Sequence, residues 1–328
     1  MLRIHFTSED LQSIRVARQP HALWELVCGV CRLDARQGAL EFGHWRRSVR
    51  EGLAKDPRAR RALLPLQTLI PPVGYIPDFL TPSVTGGGLA VGLDQVRSTS
   101  RTRLTHELSR LAESRPLPSW VSTLDRPGPG AKALGTLARA LELSCETLLE
   151  PYWPRIQTAV GDDVELRTRA LLDGGTSALL NALRPHARWH APVLEVDYPV
   201  DRELHLDGRG LLLIPSYFCW RRPTALADPT LGPVLVYPVA KQPLEIVRAS
   251  RDGLERLLGR TRTVVLADLA SHGARTTSEV ATAANIALPS ASYQLGVLRD
   301  GGLVASHRQG QFVRHSATPL GLRLLDER

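Results

Sequence analysis

Lysine is nearly missing from this chain. Lys55, Lys132 and Lys241 are the only three, leaving arginine to supply 38 of the 41 basic residues. Cysteine is scarce as well. Four in 328 residues are too few and too scattered for a disulfide framework. No stretch has the length and hydrophobicity of a membrane span. The opening MLRIHFTSEDLQSIRVA is interrupted by Arg3, His5, Glu9 and Asp10, which excludes the apolar region of a signal peptide. The expectation is a cytoplasmic chain with no membrane partner. Catalytic signatures are also missing: there is no GxSxG elbow, no P-loop, no GxGxxG after a strand and no HExxH. Gly86-Gly87-Gly88 follows a proline-rich loop rather than a strand. Asp162, Asp163 and Glu165 open a helix, where its dipole favours acids. The reading is of a protein that is not an enzyme and needs no cofactor.

The chain is long enough for two or three domains with a full core. Its hydrophobic content of 43% is ordinary. The net charge of +8 suits a polyanionic partner. An arginine excess over lysine is also what a GC-rich genome produces by itself, so charge is weak evidence for nucleic acid.

Taken in order, residues 2–6 alternate as a short strand. Residues 20–33 read as an amphipathic helix with Leu23, Leu26, Val27 and Val30 inward. This helix carries Cys28-Gly29-Val30-Cys31. A CxxC can be a redox switch or half a metal site. The simpler reading is two small apolar side chains one turn apart on a packed helix, since no second CxxC follows and Cys145 and Cys219 are isolated in sequence. Residues 42–64 are arginine-rich, either a phosphate-binding surface or, more commonly, the solvated face of a helix pair. Residues 70–82 contain four prolines, which exclude continuous helix. Tyr75, Ile76, Phe79 and Leu80 are too apolar for a linker, so an ordered loop laid against a core is expected there. Helices follow over 94–114, 132–152 and 153–183, with a break at Gly174-Gly175. From 184 to 239 the period becomes two. Strands are expected over 193–198, 203–206, 210–215 and 233–239, with Asp207-Gly208 turning a hairpin.

The last quarter reads helix, helix, helix, hairpin. Residues 263–272 place Val265, Leu266 and Leu269 on one face. Thr276 and Glu279 form a capping box. After the turn Asn285-Ile286-Ala287 comes a helix over 288–300 with Ala291, Leu295 and Leu298 inward. Gly301-Gly302 ends it. Residues 303–306 and 311–316 read as strands, with His307-Arg308-Gln309-Gly310 as a basic tip. Two short helices joined by a tight turn and followed by such a hairpin make a winged helix-turn-helix. The outward side chains of 288–300 are small and polar, suited to base edges and phosphates. Winged helices also serve as protein–protein modules, but these residue types favour DNA.

The run TTSEVATAANIALPSASYQLGVLRDGGLVASHRQGQFVRHS resembles the ArsR/SmtB winged-helix repressors of bacteria. Its serine–Tyr–Gln–Leu stretch, LRDGGLV helix end and RQGQ wing match that family. One departure is Ala287, where family members often have a capping Ser or Thr. The segments GYIPDFLTP, LDGRGLLLIPSYFCW and PVLVYPV are similar to the front halves of long actinobacterial ArsR-like regulators, a resemblance that implies no known ligand.

Together these readings give an α+β chain: a mainly helical N-terminal region over 1–245 with a small antiparallel sheet at about 186–240, then a winged helix-turn-helix over 246–328. The resemblance implies a homodimeric repressor on a palindromic double-stranded DNA operator. Ser290, Ser292, Tyr293 and Gln294 are the candidate major-groove residues, Thr277 a phosphate contact, and Arg308 and Gln309 the wing residues for the minor groove. Dimerisation and sensing of a small-molecule effector would account for the size of the front region. Tyr75, Phe79, Tyr217, Phe218 and Trp220 are its candidate pocket walls, although core packing would use the same residue types. A metal effector is disfavoured. The last cysteine is Cys219, before the winged region, and His272, His307 and His315 lack ligand spacing. An enzyme or architectural DNA-binding protein with an accessory winged helix is the alternative.

Overall fold

A computed structural model of the chain describes residues 1–72, 74–82, 88–241, 251–309 and 312–325. Gly86-Gly87 of the glycine run, residues 243–250, and Gly310 and Gln311 of the wing lie outside these. The chain divides into two compact units, Met1–Leu244 and Glu245–Arg328.

The first unit is largely helical. Its helices are α1 (Ser8–Gln12), α2 (Ala22–Leu33), α3 (Ala39–Lys55), α4 (Pro57–Leu69), α5 (Gly88–Arg97), α6 (Arg101–Ser114), α7 (Pro129–Leu148) and α8 (Trp153–Asn181). The arginine-rich stretch is indeed a helix pair, α3 and α4. Two of its arginines serve structure: Arg46 donates to Arg32 O at 2.6 Å and Arg50 to Leu33 O at 2.8 Å. The kink in α8 falls at Gly174-Gly175, where Gly175 has φ +65. An L side chain rarely adopts that conformation.

The expected antiparallel sheet is replaced by two mixed sheets. Their strands are β1 (Leu2–His5), β2 (Arg15–Val16), β3 (Ala187–His190), β4 (Val193–Val196), β5 (Arg202–His205), β6 (Leu212–Ser216), β7 (Thr224–Ala225) and β8 (Val234–Pro238). The first sheet has the order β3-β4-β1-β5, with β1 antiparallel to β4 and parallel to β5. The second has the order β2-β6-β8-β7, with β2, β6 and β8 mutually parallel. Every residue of β6 and β8 is buried. Leu212, Ile214, Val234 and Val236 face the helical core, while Leu213, Leu235 and Tyr237 join the core under the first sheet. Covering on both faces is what parallel strands require.

Asp207-Gly208 does turn the chain, with φ +52 and +80, but it does not make a hairpin. It sends β5 and β6 into different sheets. The buried Asp10 carboxylate accepts the Gly210 amide at 2.9 Å. Gly210 has φ +68, and a Cβ there would stand 2.3 Å from Ser13 O. The turn is therefore fixed against the N-terminal segment rather than against the next strand.

The second unit contains α9 (Arg251–Leu258), α10 (Arg260–His272), β9 (Arg275–Thr276), α11 (Thr277–Ala283), α12 (Leu288–Asp300), β10 (Val304–Gln309), β11 (Phe312–Ala317) and α13 (Pro319–Leu325). The strands form one sheet of order β10-β11-β9. Val265, Leu266, Leu269, Val280, Leu295 and Leu298 make the core of this unit. No described helix of either unit is long and apolar enough to cross a membrane.

Candidate nucleic-acid interface

The start of α11 is locked by its own sequence. Thr276 N donates to Glu279 Oε2 at 2.7 Å, and Glu279 N donates to Thr276 Oγ1 at 3.4 Å. Donation from the Thr276 amide and hydroxyl to Oε2 holds the Glu279 carboxyl below its ordinary range. Asn285, at φ +50, makes the turn into α12, a conformation asparagine tolerates better than most residues. Ala287 stands at the N-cap of α12 without a side-chain cap, and Pro289 occupies its first turn. Of the two glycines that end α12, only Gly302 takes a positive φ, +72.

α12 buries Ala291, Leu295 and Leu298 and turns its other face to water. Ser292 is exposed, Tyr293 is 65% exposed and Ser290 is half-buried at the helix start. Gln294 is engaged within the unit: its Oε1 accepts Arg262 Nε from α10 at 2.8 Å. Thr277 is half-buried, and its hydroxyl lies 3.1 Å from His315 Nε2. The wing differs from the expected hairpin. His307, Arg308 and Gln309 belong to β10 rather than to a loop tip, and β11 pairs with them through Phe312. Arg308 is exposed; the side chain of Gln309 lies outside the described residues.

Three features of this unit escaped sequence reasoning. β9 adds a third strand, and Arg275 within it reaches Asp268 at 3.5 Å. Arg262 braces Gln294. His315 is buried beneath the wing, with Ser306 Oγ 2.8 Å from its Nδ1. Burial, with Arg299 nearby, holds this imidazole below the usual histidine value. The one available signal was parity: His315 faces the same side as Val313 and stands opposite Ser306.

In the first unit the five aromatic candidates fall into two groups. Tyr75 and Phe79 belong to the proline-rich turn. Phe79 is buried, its amide donates to Glu107 Oε2 at 2.8 Å, and Arg110 stacks 4.5 Å over the Tyr75 ring. Asp78 beside them accepts the Ala227 and Asp228 amides. Tyr217 and Phe218 are buried in an aromatic cluster with Phe42 and Trp45. Trp220 is half-buried, with Arg32 and Arg221 over its ring. The turn holding this second group is fixed by Glu25, a fully buried carboxylate.

Cys219 is not isolated in space. It lies beside Cys28, and this neighbour together with burial pushes the Cys28 thiol well up. Cys31 instead donates to Pro71 O at 3.7 Å. Among the described residues, no group of three or more His, Cys, Asp or Glu side chains is placed to hold a metal ion.

A family model described as a helix-turn-helix domain matches residues 257–307. That span runs from the end of α9 into β10. No curated protein and no solved structure matches the chain. The C-terminal region is thus a helix-turn-helix domain of the DNA-binding type, completed by a wing.

Proposed function

We propose that this protein is a sequence-specific regulator of transcription, a repressor of ArsR/SmtB type that binds double-stranded DNA. The observation that carries this reading is the outward face of α12. A helix packed on one side by Ala291, Leu295 and Leu298 presents Ser292 and Tyr293 to water on the other, next to a wing that bears Arg308. A major groove about 12 Å wide admits such a helix. Ser290, Ser292 and Tyr293 then approach bases or phosphates. Gln294 reads a base only on leaving Arg262. Thr277 contacts a phosphate, and Arg308 and Gln309 enter the minor groove.

The working form is a homodimer on a palindromic operator, because two recognition helices need half-sites about one turn apart. The first unit supplies dimerisation and senses a small molecule. Ligand and operator each favour a different arrangement of the paired domains, so each weakens the other's binding. Tyr75 and Phe79, or Tyr217, Phe218 and Trp220, are the aromatic walls available for that ligand. A small molecule is favoured over a metal because two of the second unit's three histidines, His272 and His315, are otherwise engaged. His272 pairs with Asp268 at 3.1 Å, and His315 is bonded to two hydroxyls. The role of the front unit in this reading is binding, not catalysis.

Enrichment of random duplex DNA by the purified full-length protein at near-physiological salt tests the proposal. A palindromic motif with half-sites about 10 base pairs apart, centre to centre, is the expected result. Salt-sensitive binding without any motif would overturn it in favour of an architectural role.

A further inference from the structure

In the β10–β11 hairpin, directly opposed residues project to the same side, and the side alternates along each strand. The register puts Ala305/Ser316, His307/Arg314 and Gln309/Phe312 on one side, and Val304/Ala317, Ser306/His315 and Arg308/Val313 on the other. Near its base the second side is core, where Val304 and His315 are buried. At the far end each side carries an apolar side chain in water. Phe312 is 56% exposed and Val313 46%.

Phe312 stands opposite Gln309, five residues and about 17 Å beyond Val304 at the usual strand rise. The unit's hydrophobic core ends at Val304, so this phenyl ring contributes nothing to it. One rung inward on the same side, about 7 Å away, are His307 and Arg314; Arg308 lies on the other side. An apolar ring at the end of a narrow cationic ribbon has a specific complement. The minor groove of a duplex is about 6 Å wide, attracts cations, and accepts apolar wedges between its base steps.

We propose that Phe312 is such a wedge: its ring enters a base step of the minor groove beside the half-site, kinks the duplex there and selects a pyrimidine–purine step. The selection is energetic rather than hydrogen bonded. A wedge must unstack two base pairs, and TA and CA/TG steps unstack most readily. The ribbon's cations bring it into the groove, and the ring then reads how easily the step opens. The inference rests on the DNA-binding reading above and adds to it a sequence preference outside the reach of α12.

The test compares wild type and Phe312→Ala in the same random-duplex enrichment, followed by binding to the wild-type-selected duplex with 2-aminopurine at the flanking step. The ring is exposed, so its removal leaves the fold intact. Wild type should enrich a pyrimidine–purine step at a fixed distance outside each half-site and should brighten the 2-aminopurine. Replacing that step by purine–pyrimidine should weaken wild type about tenfold and Phe312→Ala less than about twofold. Phe312→Ala should retain the half-site motif and lose the flanking step. If it enriches the same flanking step, or gives the same brightening, the wedge is refuted while the regulator stands. If its only effect is to lower the oligomeric mass, Phe312 is a contact between copies and the wedge is likewise refuted. If wild type enriches no motif, the DNA-binding reading itself falls and the wedge falls with it.

Discussion

His315 Nε2 lies 3.1 Å from the hydroxyl of Thr277, and the other nitrogen of the same buried ring lies 2.8 Å from Ser306 Oγ. One imidazole therefore joins β10, β11 and the first turn of α11. Burial and the nearby Arg299 hold it below the ordinary histidine value, and Arg275 stands beside it across β9. Folded, the ring therefore holds a proton less readily than a free imidazole. Duplex phosphates brought close to it favour the charged form, so binding should take up a proton. Affinity should therefore rise as pH falls below neutrality at constant ionic strength. His315→Gln should flatten that rise. Anisotropy titrations of a selected duplex read both effects. Equal slopes for the two proteins would rule out the linkage. Without DNA the sign reverses. A histidine depressed in the folded state contributes stability that is lost as pH falls through its unfolded value toward its folded one, so the free domain should melt earlier in acid.

Tyr293 and Arg308 should fail in different ways. Tyr293 stands in water on the outward face of α12. Tyr293→Ala should cost about 1–3 kcal/mol on the preferred sequence and relax the preference. Arg308→Ala should weaken binding to most sequences alike and lower the slope of log affinity against log salt by about 1. Competition titrations at several salt concentrations separate the two. Unchanged affinity and specificity in both variants would remove this face as the DNA surface.

The helix-turn-helix was readable because its signals are local. The Thr276–Glu279 capping box, the spacing of Ala291, Leu295 and Leu298, and the glycines after Asp300 all lie within one element or next to it. The two sheets were not, because their pairings are distant. Residues 2–5 pair with 193–196 on one edge and with 202–205 on the other. The uninterrupted apolar runs GLLLIP and PVLVYPV were themselves the mark of strands buried on both faces, and so of parallel pairing. Reading them as members of an antiparallel sheet missed that mark. On α12, the exposure of Ser292 and Tyr293 followed from helical period alone. The hold of Arg262 on Gln294 joins two helices that the period treats separately, and no local pattern announces it.

A buried ion pair with a phenol attached supports α8. Arg167 Nη2 donates to Asp163 Oδ1 at 2.7 Å, the Tyr237 hydroxyl donates to Asp163 Oδ2, and Arg167 also donates to Ala182 O. Asp163→Asn should leave the buried guanidinium uncompensated and cost about 3–5 kcal/mol. Tyr237→Phe, which removes one hydrogen bond to a charged group, should cost about 1.5–3 kcal/mol. The two costs should not add, because the residues share a partner. Urea unfolding of the single and double variants measures the coupling, and strict additivity would show that the phenol and the ion pair act separately.

Glu25 gives the first unit a pH dependence of its own. It is fully buried in α2. Its Oε1 accepts the Tyr217 amide at 2.7 Å, and its Oε2 accepts Ser216 Oγ and the Phe218 amide, each at 2.9 Å. It thereby fixes the turn that delivers Tyr217 and Phe218 to the aromatic cluster. Burial pushes the carboxyl up from 4.5 to about 7 against the pull of those bonds and of Lys241. Between these two values the unfolded chain gives up its proton first. Native stability from this group should therefore fall as pH rises from 4.5 to about 7, by about 3 kcal/mol in all, and be flat on either side. Glu25→Gln removes the titration and one acceptor. It should destabilise the unit by about 1–3 kcal/mol in acid, a deficit that vanishes or reverses toward neutrality as the wild type loses its own contribution. Urea unfolding of both proteins at about pH 5, 6 and 7.5 tests this. A deficit that stays constant across the three would mean that Glu25 does not change its charge in that window.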